Sequence, residues 1–274
     1  MKKVLIFIIP YLFTVSLFQF IGAQLSGISI LNMNHIRSSN QILTIKFFDL
    51  IGTLIIVSIF VKYFFKDSFL DLGFKKTGFS KQFVAATLLV CTGISTVFFI
   101  LLTINEIKIA SINFNFWELI KSCLIFLCVA FIEELLFRGY IQKYLMQSMN
   151  KYIALIVASI FFSIAHFLNP NISIIGTVGI FTLGLLLGLS YIYTKSLWFP
   201  IVFHFWWNFI QVHLGFNVSG KELYSLTELS KQAPNILNGG AFGFEGSLLS
   251  FPAQMIILAG LYFFFRQNTI TLKT

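Results

Sequence analysis

Eight stretches of this chain are apolar for about 20 residues or close to it: roughly 4–30, 43–65, 82–104, 117–142, 152–168, 172–194, 197–216 and 247–265. A helix of that length crosses the hydrocarbon core of a bilayer. In lipid every backbone N–H and C=O must be paired within the chain, which leaves only helices and closed barrels. The alternation that marks strands is poor here, and Phe alone accounts for 35 residues, which suits lipid-facing helices. The expected fold is therefore all-α, a polytopic transmembrane bundle of about eight helices in a single integral membrane domain over 1–274. The charged share points the same way: 11% of the residues, against about 25% in a soluble domain. The apolar run after Met1-Lys2-Lys3 is too long for the core of a signal peptide and is read as a retained first span.

The net charge of +9 is a topology signal rather than a sign of nucleic acid. With the N-terminus inside, Lys2, Lys3, Lys62, Lys66, Lys75, Lys76, Lys81, Lys143, Lys151, Lys195, Arg266 and Lys273 fall on the inner side. Arg37, Lys108, Lys221 and Lys231 fall on the outer side, so the bias places both termini in the cytoplasm. The expected partners are the lipid bilayer and a membrane-associated substrate, with no nucleic acid. Compact size and the lack of an organelle signal suggest a bacterial plasma membrane. Cys91, Cys123 and Cys128 lie inside apolar runs without ligand spacing and read as packing residues.

Two stretches interrupt the pattern. Lys66 to Lys81 alternates apolar and charged residues around Gly73 and Gly78, and reads as an amphipathic turn at the inner interface. Asn217 to Ser247 collects polar residues and glycines, and reads as a long outer loop, a lid or partly disordered. Gly176, Gly179, Gly184 and Gly188 punctuate the sixth run at a spacing that lets helices approach closely.

Within the fourth run stand three charges: Glu133, Glu134 and Arg138. A charge at the centre of a membrane helix costs roughly 2.5–3.5 kcal/mol on insertion scales. Positions four apart share a helix face, so Glu134 and Arg138 are a ready ion pair. Glu133 is turned by about 100° and is freer to face a cavity. His166, His204 and Asn208 interrupt later runs, the last two again four apart. Depth brings these groups together. Glu133 and His166 lie about equally far from the bend at Gln147–Asn150, roughly 24 Å, and His204 enters from its own end by a similar distance to Glu133. His35 and His213 lie near span ends with no partner motif.

The residues Glu133-Glu134-x-x-x-Arg138, Phe162-x-x-x-His166 and His204-x-x-x-Asn208, in that order on three successive apolar runs, resemble one family. It is the intramembrane endopeptidases that include the CAAX prenyl proteases and the bacterial bacteriocin-processing or immunity (Abi) proteins. Gly184 to Gly188, Ser196-Leu197-Trp198 and Pro200 add to the likeness, which covers roughly 117–212 as the catalytic core. The resemblance implies that Glu133 with His166 activates a water and that His204 and Asn208 face the scissile carbonyl. It also implies that Glu134 with Arg138 fixes the helix. A catalytic zinc on Glu133, His166 and His204 is one option, since a His₂-carboxylate set with an open position suits that ion. The glutamate-and-water route needs no metal. The substrate would be a lipidated or leader-type peptide. A non-catalytic immunity or scaffold protein is the alternative, and a proton-coupled transporter a further one.

Overall fold

A computed structural model describes residues 2–28, 38–74 and 78–271. His35, Arg37, Lys75, Lys76 and Lys273, used in the sequence reading, lie outside them, as do the side chains of Lys2 and Lys3. The helices are α1 (Lys2–Leu25), α2 (Ser39–Phe60), α3 (Phe79–Thr103), α4 (Phe116–Glu134), α5 (Lys143–Met146), α6 (Lys151–Ile164), α7 (Ile174–Thr194), α8 (Trp198–His213) and α9 (Ser250–Thr271). A π-helical stretch, Leu135–Gln142, joins α4 to α5 as one continuous rod. The described residues thus form eight helical rods, an all-α bundle as the apolar runs predict. The starts are set by local chemistry. Ser38 forms a capping box with Gln41, and Asn115, Asn150 and Ser173 accept the first free backbone N–H groups of α4, α6 and α7.

Among the described residues four helices are long and apolar enough to cross a membrane: Val4–Leu25, Ser39–Phe65, Phe79–Thr103 and Ile174–Thr194. Their outward faces carry large apolar side chains, such as Leu5, Ile9 and Phe13 on α1 and Leu88 and Phe99 on α3. With these spans the chain is an integral membrane protein. The eight runs are not equivalent. Lys151–Ile164 is a short apolar helix of 14 residues. α4 carries Glu118, Lys121, Glu133 and Glu134 within its 19 residues. Its neighbour α8 is buried along most of its length. α1 packs on α2 and α2 on α4, while α4 and α3 both pack on α8; α6 pairs with α7. α4 and α8 therefore meet in the middle, sheltered by the more apolar helices.

Three expectations are corrected. The outer segment after α8 is ordered: its strand β2 (Thr227–Lys231) pairs antiparallel with β1 (Ile107–Ile112), with an irregularity between Ile109 and Ser111. Strand pairing between segments more than 100 residues apart has no local signal to betray it. The described start of the Lys66–Lys81 stretch, through residue 74, is pinned into the bundle rather than lying only at its surface. Leu72 is fully buried, the Tyr191 hydroxyl donates to the Leu72 carbonyl at 2.9 Å, and the Leu197 N–H donates to the Gly73 carbonyl at 2.9 Å. Finally, α6 ends at Ile164, so His166 sits in the turn beyond it rather than on a helix.

The glycines of α7 act as the spacing predicts, through close approach. A Cβ on Gly184 would meet Ser159 and Phe162 of α6 at 3.2–3.3 Å, and one on Gly188 would fall 2.3 Å from Leu155 Cδ1. At the opposite end, a Cβ on Gly176 would strike the Phe242 ring at 2.8 Å. Bare backbone on this face also exposes carbonyls to side chains of the neighbouring helix.

Candidate active site

The site is built where α4 gives way to the π-helical stretch. Arg138 lies there, 1% exposed, and donates from Nη1 to Glu134 Oε1 at 2.8 Å and from Nη2 to the Gly184 carbonyl at 3.1 Å. One turn on, Gln142 Nε2 repeats the pattern on the Gly188 carbonyl at 2.9 Å. The sequence reading expects a regular helix through 142. The widened turns occur instead where Gly139 passes close to Leu197 (a Cβ would lie 2.9 Å from its Cδ1) and where Arg138 reaches across to α7. Such π-segments recur at functional sites.

Glu134 is fully buried and its Oε1 takes a second donor, His204 Nδ1, at 2.7 Å. A carboxylate only accepts, so His204 carries a proton on Nδ1 and turns Nε2 the other way. His166 is oriented by the same logic: its Nδ1 donates to the Phe162 carbonyl at 2.8 Å. Its Nε2 stands 3.7 Å from Glu133 Oε2, and His204 Nε2 stands 3.9 Å from the same oxygen. Both separations exceed a direct hydrogen bond. Among the described residues Glu133 Oε2 has no hydrogen-bond partner. Glu133 keeps 24% of its side chain exposed against none for Glu134, so the two carboxylates differ in the sense that their helical offset predicts.

Phe162 is the floor of this arrangement. The Arg138 guanidinium lies 4.4 Å over its ring, and the His166 and His204 rings lie 4.8 and 6.0 Å from it. Asn208 follows His204 by one turn on the same face of α8, 4% exposed, and its amide makes no hydrogen bond to a described residue. The structure thus brings Glu133, Glu134, Arg138, His166 and His204 together, with Asn208 on the adjoining turn.

The donor chemistry of Glu133, His166 and His204 suits zinc, since each imidazole has its other nitrogen anchored. Glu133 Oε2 lies 3.7 and 3.9 Å from the two Nε2 atoms, and among the described residues no group of three or more His, Cys, Asp or Glu forms a ready-made metal cluster. Ligands at about 2.0–2.2 Å from a tetrahedral zinc stand roughly 3.3–3.6 Å apart, a few tenths of an ångström less than these separations.

The sequence reading missed other polar residues in the bundle. Asp49 of α2 is 1% exposed and receives Lys46 Nζ and Gln19 Nε2, each at 3.0 Å. It was legible as a lone acid in an apolar run. Glu245, 3% exposed, accepts from Trp207 Nε1 at 3.0 Å and from the Ser219 hydroxyl at 2.5 Å. Nothing in its loop sequence marks it. His213 is buried as well, 3.1 Å from Ser122 Oγ, away from the Glu133 group.

A family model described as Type II CAAX prenyl endopeptidase Rce1-like matches residues 114–210, about a third of the chain. The match holds all six residues of the constellation. Neither the curated proteins nor the solved structures contain a match to the chain. By its motifs and by this match, the segment 114–210 is similar to the Rce1-like CAAX prenyl endopeptidase family.

Proposed function

We propose that the chain is an intramembrane endopeptidase that hydrolyses a peptide bond of a membrane-associated, lipidated or leader-type peptide through a water activated by Glu133. The observation that carries this reading is the convergence of two oriented imidazole Nε2 atoms on one unpartnered carboxylate oxygen. Glu133 and His166 hold the water. As its oxygen bonds to the carbonyl carbon, one proton passes to Glu133. Charge gathers on the carbonyl oxygen, where the Asn208 amide donates, joined by His204 Nε2 in its doubly protonated form. The C–N bond then breaks, and Glu133 returns the proton to the leaving amine. One carboxylic acid and one amine result, and passage of the acid's proton to the amine leaves a carboxylate and an ammonium.

Glu134 and Arg138 stand behind this chemistry. The Glu134 carboxylate holds His204 by Nδ1, and Arg138 ties that carboxylate to α7. A zinc ion has no step in this scheme. The topology that goes with it puts both termini at the cytoplasmic face of a bacterial plasma membrane, with the bilayer and a membrane-associated peptide or protein substrate as partners.

The test is a comparison of membrane peptidomes from cells carrying the wild type and Glu133→Gln, followed by cleavage of the accumulating peptide with purified protein. Glu133→Gln is expected to abolish cleavage while expression and folding persist. Full activity in Glu133→Gln sinks the assignment. Full complementation by that variant supports a scaffold or immunity role in its place.

A further inference from the structure

The segment from 216 to 249 is fastened to α8 by one buried carboxylate. Glu245 lies in a short 3₁₀ turn, Phe244–Gly246, and is 3% exposed. Its Oε1 takes the Trp207 indole N–H at 3.0 Å, and its Oε2 takes the Ser219 hydroxyl at 2.5 Å. Trp207 is fully buried beside Asn208 and packs edge-on to Phe244, ring centroids 5.8 Å apart. A buried carboxylate without a cation costs more than an apolar side chain of similar size, unless its oxygens are satisfied and its geometry is needed. Here both oxygens are satisfied, and by neutral donors from two different parts of the chain.

Its placement relative to the site says what the geometry is for. Glu134 grips α8 at His204, and Glu245 grips it at Trp207, three residues along and therefore on the next turn. The two carboxylates approach from α4 and from the 216–249 segment respectively. That segment has its own footing on α7. The Glu245 carbonyl would be only 2.8 Å from a Cβ on Gly179, and the Phe242 ring would be 2.8 Å from one on Gly176. Gly184 and Gly188 of the same helix receive Arg138 and Gln142. α7 is thus the common base from which both grips on α8 are taken.

We propose that Glu245 is a positioning residue, through which the 216–249 segment holds α8, and with it His204 and Asn208, in register with Glu133 and His166. The role of α8 in the reaction rests on the endopeptidase reading; the mechanical coupling does not. The coupling is therefore measured first without reference to activity, by hydrogen exchange on the purified full chain in detergent micelles. In Glu245→Ala, exchange is expected to rise about tenfold or more, as loss of bonds to a buried charged group implies, both in 216–249 and in the α8 peptide 201–210. Glu245→Gln keeps an acceptor for Trp207 and a donor for Ser219, and restores wild-type exchange in both. Trp207→Phe removes one of the two bonds and gives a smaller rise in α8, which serves where Glu245→Ala fails to fold.

With the peptide that accumulates in Glu133→Gln membranes as substrate, Glu245→Ala is expected to lower kcat on the order of a hundredfold with KM little changed, as misplaced catalytic groups do. Exchange that rises only in 216–249 while α8 stays protected overturns the proposal. So does a variant that raises KM and leaves kcat intact. Activity retained in Glu133→Gln overturns the endopeptidase reading instead, and leaves the exchange result to decide the coupling.

Discussion

Arg138→Met removes the cation from a pair that has no access to water. Arg138 and Glu134 are 1% and 0% exposed, 2.8 Å apart, and the guanidinium also serves the Gly184 carbonyl and the Phe162 ring. Methionine fills much of the same volume, so packing loss is small and the cost is electrostatic. Breaking a buried pair by deleting one partner costs about 3–5 kcal/mol, because the remaining charge stays buried. The ring contact, about 0.5–2 kcal/mol by itself, is contained in that loss rather than added to it. For a chain of this size the expected drop in melting temperature is on the order of 10 °C. The sharper measurement is the cycle with Glu134→Gln. The double variant Glu134→Gln/Arg138→Met has no buried charge left at this position and is expected to be more stable than Arg138→Met alone. Thermal unfolding of the four proteins in one detergent gives both numbers. Arg138→Met within about 1 kcal/mol of wild type, or a double variant whose losses simply add, refutes the view of Glu134 as a buried carboxylate held by Arg138.

Gly188→Val puts side-chain atoms where a Cβ alone would lie 2.3 Å from Leu155 Cδ1 and 2.6 Å from Gln142 Oε1. The expected loss is about 1–3 kcal/mol by thermal unfolding. Burial draws the Asp67 carboxyl upward, but the Lys143 ammonium at 2.9 Å and the Tyr144 hydroxyl at 3.0 Å outweigh it and hold the group below the usual carboxylate range. The stability this supplies is fully present above the unfolded value of about 3.9 and is lost as pH falls through the lower folded value. Asp67→Asn is therefore expected to flatten the acid limb of a stability-versus-pH curve and to leave its neutral limb lower but parallel. Cleavage by purified protein is expected to survive prolonged chelation without zinc at stoichiometric levels, measured by metal analysis and activity on the same sample.

The spans were legible because apolar runs of membrane length admit few other structures. Glu134 and Arg138 could be paired from their spacing alone, since the i, i+4 relation survives even where the helix widens. The inequality of the two glutamates was legible for the same reason. The end of α6 was not: His166 sits in an apolar run that reads as one helix, and only the turn at Ala165–Leu168 shows otherwise. The pairing of β1 with β2 escaped because a two-stranded ribbon over five or six residues leaves little periodicity to find. Glu245 escaped because it lies in a segment with no regular spacing, and its partners, Trp207 on α8 and Ser219, are 38 and 26 residues away.

By itself the sequence determined that this chain lives in a membrane, that it folds as helices, and that six polar residues on successive runs had to justify their burial. Those conclusions follow from local costs: unpaired backbone in lipid and charge in hydrocarbon are expensive whatever the neighbours are. Which nitrogen of His204 faces Glu133 was decided only by tertiary structure, because it depends on the Glu134 carboxylate of α4 meeting a ring of α8, whereas His166 is oriented locally by the Phe162 carbonyl four residues back. The same holds for the grip of Glu245 on α8, because a hydrogen bond between distant residues has no counterpart in the pattern of either one.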